Sequence, residues 1–137
     1  MLLQIAKAQH SDGGFPYWPE GSTSDYYVSL RLAEIYQAGI EHGYTKSDLA
    51  INYENLIDFI SWYMNRSWNK SNLAHSCYVL AKAGRSEVDG YLSGILNTLE
   101  DRSFTDIAYA GLACIERGNF AGARKCEDML RRYLVPT

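Results

Sequence analysis

The chain of 137 residues is short of several things, and each shortage narrows what it does. No apolar run approaches the roughly 20 residues needed to cross a bilayer, so no transmembrane segment is expected. Residues 1–9 lack the basic n-region and long apolar h-region of a signal peptide. Basic residues number 13 against 16 acids, a net charge of −3, and they are scattered without a basic stripe. That distribution argues against nucleic acid as a partner. The three cysteines, Cys77, Cys114 and Cys126, show no Cys-x-x-Cys spacing. They fall at apolar helical positions and read as small buried core residues, with one disulfide plus one free thiol as the alternative. Their number does not settle the compartment. The three histidines, His10, His42 and His75, have no His-Glu-x-x-His partner or cysteine pair nearby, so no metal site is expected. Neither a glycine-rich phosphate loop nor a nucleophile elbow occurs, and no cofactor is implied.

What the chain has is helix. From about residue 24 onward nearly every stretch carries helical periodicity, and no stretch alternates convincingly as a strand. Capping-box pairs stand at Ser22/Asp25, Thr45/Asp48, Ser86/Asp89 and Ser103/Asp106, where a hydroxyl and an acid exchange hydrogen bonds with the first turn. Gly43, Gly84 and Gly118 mark helix ends. Apolar faces are predicted as Val28, Leu32, Ile35 and Gly39, with Leu30, Ala33 and Ile40 adjoining; Leu49, Tyr53, Leu56, Ile60 and Tyr63; and Leu73, Cys77 and Leu80 flanked by Ala74, Tyr78 and Ala81. Further on they are Val88, Leu92, Ile95 and Leu99; Ile107, Ala108, Gly111, Leu112 and Ile115; and Phe120, Ala123, Leu130 and Leu134. Tyr78–Gly84 aligns with Leu112–Gly118 at a spacing of roughly 34 residues, the mark of hairpin repeats. The fold class read from this pattern is all-α, with antiparallel helical hairpins in one domain over 1–137.

The segment Gln9-His10-Ser11-Asp12-Gly13-Gly14-Phe15-Pro16-Tyr17-Trp18-Pro19 interrupts the helices. Two glycines supply unusual backbone angles, and Pro16 and Pro19 stop any helix from running through. Phe15, Tyr17 and Trp18 are expected to fold back as an aromatic plug against the helices. Asp12 is expected to accept backbone hydrogen bonds and hold the turn, with general-acid duty as the alternative. The same aromatics, together with Tyr26 and Tyr27, are the candidate lining of a ligand pocket if the plug reading fails. Trp62, Tyr63, Trp68 and Tyr91 are expected to wedge hairpins together. Glu54 and Asp58, one helical turn apart, read as a solvated face, with metal binding as the alternative.

These residues resemble a known family. Gln9 through Pro19, then Ser24-Asp25-Tyr26-Tyr27-Val28 and a long helix ending at His42-Gly43-Tyr44, are similar to the thioester-containing domain of bacterial alpha-2-macroglobulin-like proteins. Cys77-Tyr78-Val79-Leu80-Ala81-Lys82-Ala83-Gly84 looks like that family's Tyr-x-Leu-x-x-x-Gly helices. The resemblance is specific around residues 9–44 and diffuse afterwards. It implies part of an α/α toroid, a ring of helices in inner and outer layers. It also implies a piece excised from a longer protein that restrains foreign proteases in the periplasm or cell envelope. By the same resemblance the partners are neighbouring domains of the parent, proteases as the parent's targets, and a second copy where the open edge of the ring associates with itself. The thioester motif Cys-x-Glu-Gln of that family is absent from this sequence, and the resemblance places it upstream of Met1. The chain itself is expected to be a non-catalytic scaffold.

Two rival classes remain. A tetratricopeptide-like interaction module accounts for the roughly 34-residue spacing but not for the Asp-Gly-Gly-Phe loop. A toroid enzyme of the prenyltransferase or terpene-cyclase type shares the shorter Gln-x-x-Asp-Gly-Gly-Phe core. It calls for convergent central acids, and neither an Asp-x-Asp-Asp motif nor a plausible zinc set is present.

Overall fold

A computed structural model of the chain describes residues 7–18, 20–66 and 72–134. These are mostly α-helical, and they form two compact units, residues 1–69 and 70–137.

In the first unit, Lys7 and Ala8 are helical and lead into the Asp-Gly-Gly loop. Two short strands, β1 (Phe15–Pro16) and β2 (Ser24–Asp25), pair antiparallel with Phe15 opposite Asp25 and Pro16 opposite Ser24. This small pairing lies within a segment expected to hold no strand, and two residues are too few for an alternating pattern to show. Three helices follow: α1 (Tyr26–Glu41), α2 (Lys46–Leu49) and α3 (Tyr53–Arg66). The unit's core lies between α1 and α3, with Phe15, Leu30, Leu56, Ile57, Ile60 and Met64 all fully buried.

In the second unit, α4 (Leu73–Lys82) and α5 (Val88–Leu96) precede a 3-10 turn (Leu99–Asp101), α6 (Phe104–Glu116) and α7 (Phe120–Leu134). Helix α4 packs along α6, and α6 along α7, with α5 against both α4 and α6. Cys77, Val79, Leu80, Val88, Ile95, Ile107 and Cys114 form the centre. A bidentate ion pair ties the end of α6 to the first turn of α5. Arg117 donates from Nε and Nη2 to the two carboxylate oxygens of Asp89 at 2.9 and 3.1 Å.

The helix ends follow the sequence closely at their C-termini. Gly43, Gly84 and Gly118 all have positive φ, and each closes a Schellman motif. The outer bonds run from Tyr44 N–H to Gly39 O (3.0 Å), Arg85 N–H to Leu80 O (3.0 Å) and Asn119 N–H to Cys114 O (2.8 Å). One of the four capping boxes forms in full, Thr45 and Asp48 exchanging bonds at 2.8 and 3.4 Å, and Ser103 makes the cap half of another by accepting from Asp106 N–H at 3.2 Å. The other two need correction. Asp25, rather than Ser22, caps α1 by accepting from Val28 N–H at 2.8 Å. Glu87, rather than Ser86, is the N-cap of α5 and makes no side-chain cap bond, and the Asp89 carboxylate pairs with Arg117.

Several predicted faces are rotated. On α1 the buried stripe is Ser29, Leu30, Ala33, Tyr36 and Gln37, while Ile35 is exposed. Two polar residues enter the core there because they are bonded inside it. Ser29 serves the loop, and Gln37 Nε2 donates to the Tyr53 hydroxyl at 2.7 Å. On α3 the face is Leu56, Ile57, Phe59, Ile60, Ser61 and Met64. On α6 it is Ile107, Ala110, Ala113 and Cys114, with Leu112 and Ile115 outside. On α7 it is Gly122 and Cys126, with Phe120 and Leu134 exposed. Close helix approach selected small residues on α6 and α7, which periodicity weighted by side-chain size overlooks.

Candidate functional site

The Asp-Gly-Gly loop is fixed by polar bonds at nearly every residue. Gln9 acts as a substitute strand edge. Its Oε1 accepts from Asn52 N–H at 2.9 Å, and its Nε2 lies 2.9 Å from both Asn52 O and Gly13 O. Asn52 passes the restraint on by accepting from Asn55 N–H at 3.1 Å at the start of α3. Within the loop, Gly13 N–H donates to His10 O at 2.9 Å and His10 N–H to Gly14 O at 2.8 Å.

Asp12 holds the turn. Its Oδ1 accepts from Gly14 N–H at 2.9 Å and from the Ser24 hydroxyl at 2.7 Å. The His10 ring bridges to the strand that follows. Nε2 lies 2.9 Å from Gly21 O, which can only accept, so Nε2 carries a proton; Nδ1 lies 2.8 Å from Ser24 Oγ. Phe15 N–H donates to the buried Ser29 hydroxyl at 2.9 Å, and that hydroxyl donates to Asp25 O at 2.7 Å.

Both glycines are required by space. Gly13 has φ +92°, and a methyl group there would overlap the Asn55 carbonyl on α3. A methyl on Gly14 would lie 2.6 Å from Ser24 Cβ and 2.9 Å from the Phe59 ring. The loop backbone therefore lies directly on the helix, a spacing that any Cβ prevents.

The six candidate residues divide among different environments. Phe15 is 2 % exposed and is the plug. Tyr17 and Trp18 are 72 % and 61 % exposed, which corrects the expectation that they bury with it. Their rings meet edge to face at 5.8 Å. The reason is local: Tyr17 and Trp18 are bends that follow β1 outside the strand pairing, which ends at Pro16 opposite Ser24, and Trp18 O accepts from Gly21 N–H at 2.9 Å. Tyr26 is half-buried and stacks on Tyr63 of α3 with ring centroids 4.2 Å apart, and Tyr27 is exposed. Asp12 lines a pocket of about 320 Å³ with Asp58, Phe59 and Trp62.

Trp62 is 53 % exposed, with the Arg66 guanidinium 5.0 Å above its ring, so it does not wedge a hairpin within its unit. Trp68 lies outside the described residues, and Tyr91 is half-buried. Glu54 and Asp58 are exposed. His75 is buried and stacks on Tyr109 at 4.4 Å, and His42 is exposed.

Several surface carboxylates are held low by their neighbours. Hydrogen bonds from Thr45 hold Asp48 below the usual carboxylate range, Arg117 does the same for Asp89, and Arg131 for Glu127. The three cysteines are free and buried. Desolvation, with Cys114 nearby, pushes Cys77 up to about 12 and Cys126 up to about 11; desolvation also raises Cys114. Among the described residues no group of three or more His, Cys, Asp or Glu side chains is placed to hold a metal ion. No helix among them is long and apolar enough to cross a membrane.

Sequence reasoning missed Gln9, Ser24, Ser29 and Asn52 as working parts of the loop. The signal for Gln9 was its place three residues before Asp12 in the motif. Ser29 and Asn52 depend on tertiary contacts that carry no sequence mark. No family model, curated protein or solved structure matches the chain.

Proposed function

We propose that the chain is a non-catalytic scaffold of helical hairpins, part of an α/α toroid, in a bacterial alpha-2-macroglobulin-like protease inhibitor. The parent restrains proteases in the periplasm or envelope, and this piece positions its reactive region and docks on neighbouring domains. The observation that carries the reading is the seating of Gly13 and Gly14 on α3. It gives the motif on which the resemblance rests an architectural purpose. Asp12 spends Oδ1 on Gly14 and Ser24, as a turn-holding residue does.

The test uses the full protein that carries this chain. Incubated with an endopeptidase, it should protect a large protein substrate while a small peptide substrate is still cleaved. Equal cleavage of both substrates with and without the protein contradicts the inhibitor reading.

A second reading, a tetratricopeptide-like interaction module, draws support from the paired helix ends at Gly84 and Gly118 and from the open apolar groove beyond them. It predicts capture of a partner segment and no effect on proteases.

A further inference from the structure

The two hairpins of the second unit align at the spacing set by Gly84 and Gly118, so α4 corresponds to α6 and α5 to α7. Their inner positions agree. Val79 and Ala113, Leu80 and Cys114, Val88 and Gly122, Leu92 and Cys126 are all buried. Their outer faces differ. On α4, Ala74 and Ala81 are 2 % and 3 % exposed, and Tyr78 lies against Tyr109 of α6. Helix α6 accounts for that cover, since it packs on both α4 and α5. The corresponding face of α6 is open, with Leu112 45 % and Ile115 51 % exposed. Between α6 and α7 runs a groove of about 560 Å³ lined by Gly111, Leu112, Ile115, Phe120, Cys126 and Leu130, among others. Its floor is low because a methyl on Gly111 would lie 3.1 Å from Cys126 Cβ, so the two helices approach closely there.

We propose that this groove is the seat of one further amphipathic helix from a partner domain or protein, docked as α6 docks on the preceding hairpin. The proposal rests on the hairpin-repeat reading above. The interface it extends already exists within the unit, and that interface defines the occupant's chemistry. The occupant presents a narrow apolar stripe of small and branched residues, as the buried face of α6 does with Ile107, Ala110, Ala113 and Cys114, beside an aromatic ring placed as Tyr109 is against His75 and Tyr78 of α4. A second copy of the chain does not offer that stripe, because those four residues are buried inside each folded copy. Phe120, 69 % exposed at the start of α7, stands at the groove as an anchor for the incoming helix.

The probe is a fluorescent, end-capped peptide of residues 103–118, which carries the α6 stripe, titrated with the whole chain. Saturable binding is expected. Leu112→Glu and Ile115→Glu should each weaken it roughly tenfold or more, since a charge would be buried in an apolar seat. Lys125→Glu, at an exposed position on α7, should leave it unchanged. Both groove positions are exposed, so circular dichroism melts should stay at the wild-type temperature and separate lost binding from lost folding. No binding, or equal binding by wild type and both groove variants, overturns the proposal. So does a wild-type dimer in light scattering that Leu112→Glu converts to monomer, which would give the groove to a second copy. Protease protection is not read here. Failure of the peptide therefore leaves the inhibitor reading intact, and a protein that binds the peptide but spares no substrate leaves the groove intact.

Discussion

Gly13 rests on Asn55: the position its missing side chain would take is occupied by the Asn55 carbonyl at the first turn of α3. The two residues are far apart in sequence, and their contact sets how closely the loop lies on the helix. A side chain at Gly13 must also adopt φ +92°. Gly13→Ala should therefore lose roughly 3 kcal/mol or more, the sum of backbone strain and overpacking. Gly84→Ala has the same handedness problem but meets nothing within 4 Å, so it should lose about 1 kcal/mol. Urea unfolding of the two variants side by side checks the difference.

The aromatic residues of the loop should separate sharply. Phe15→Ala removes a fully buried ring and should lose about 3–5 kcal/mol. Trp18→Ala removes a ring that faces solvent and should stay within about 0.5 kcal/mol. Equal losses in thermal melts would show that Trp18 packs after all.

Ser29→Ala should cost about 1–3 kcal/mol despite its small change in volume. It leaves the buried Phe15 N–H without an acceptor. Ser29→Thr keeps the hydroxyl but adds a methyl to a filled site, so only partial recovery is expected in the same denaturation assay.

The Asp89–Arg117 pair gives a pH signature. Arg117 holds the folded Asp89 below 3.8, so its contribution is present above the unfolded carboxylate value and is lost as pH falls through the folded one. The stability gap between wild type and Asp89→Asn should be full above about pH 5 and should close as the medium becomes more acidic than the folded value. The pair is partly exposed, so the gap should be small and should shrink in high salt.

The thiols give the opposite sign. Burial raises the folded Cys77 to about 12 and Cys126 to about 11. Their contribution is complete below the unfolded thiol value and is lost as pH rises through the folded ones. Alkylation at neutral pH should be slow in the native protein and rapid in urea. Rapid native alkylation would place the cysteines outside the core.

Much of this was legible in the sequence, and the misses share a cause. Gly43, Gly84 and Gly118 announced helix ends because the left-handed cap is a local event. The loop's rigidity was legible in Asp12-Gly13-Gly14. What stayed hidden was set by distant partners. Asp89 matches a cap pattern, yet Arg117 claims it from the next hairpin. Ser29 and Gln37 look like surface residues until Phe15 and Tyr53 are brought to them. Tyr17 and Trp18 look buried because of their size, but the chain leaves the strand pairing after Pro16 and both rings stand in solvent.

The claim beneath all of this is that residues 9–18 and 20–25 form a locked part of the helical framework. Native-state hydrogen exchange reads it directly at the amides of Gly13, Gly14 and Phe15, which donate to His10 O, Asp12 Oδ1 and Ser29 Oγ. The account predicts that these three exchange as slowly as the buried amides of α1 and open only with the whole unit. Exchange at the rate of an unstructured loop, while α1 stays protected, would contradict it.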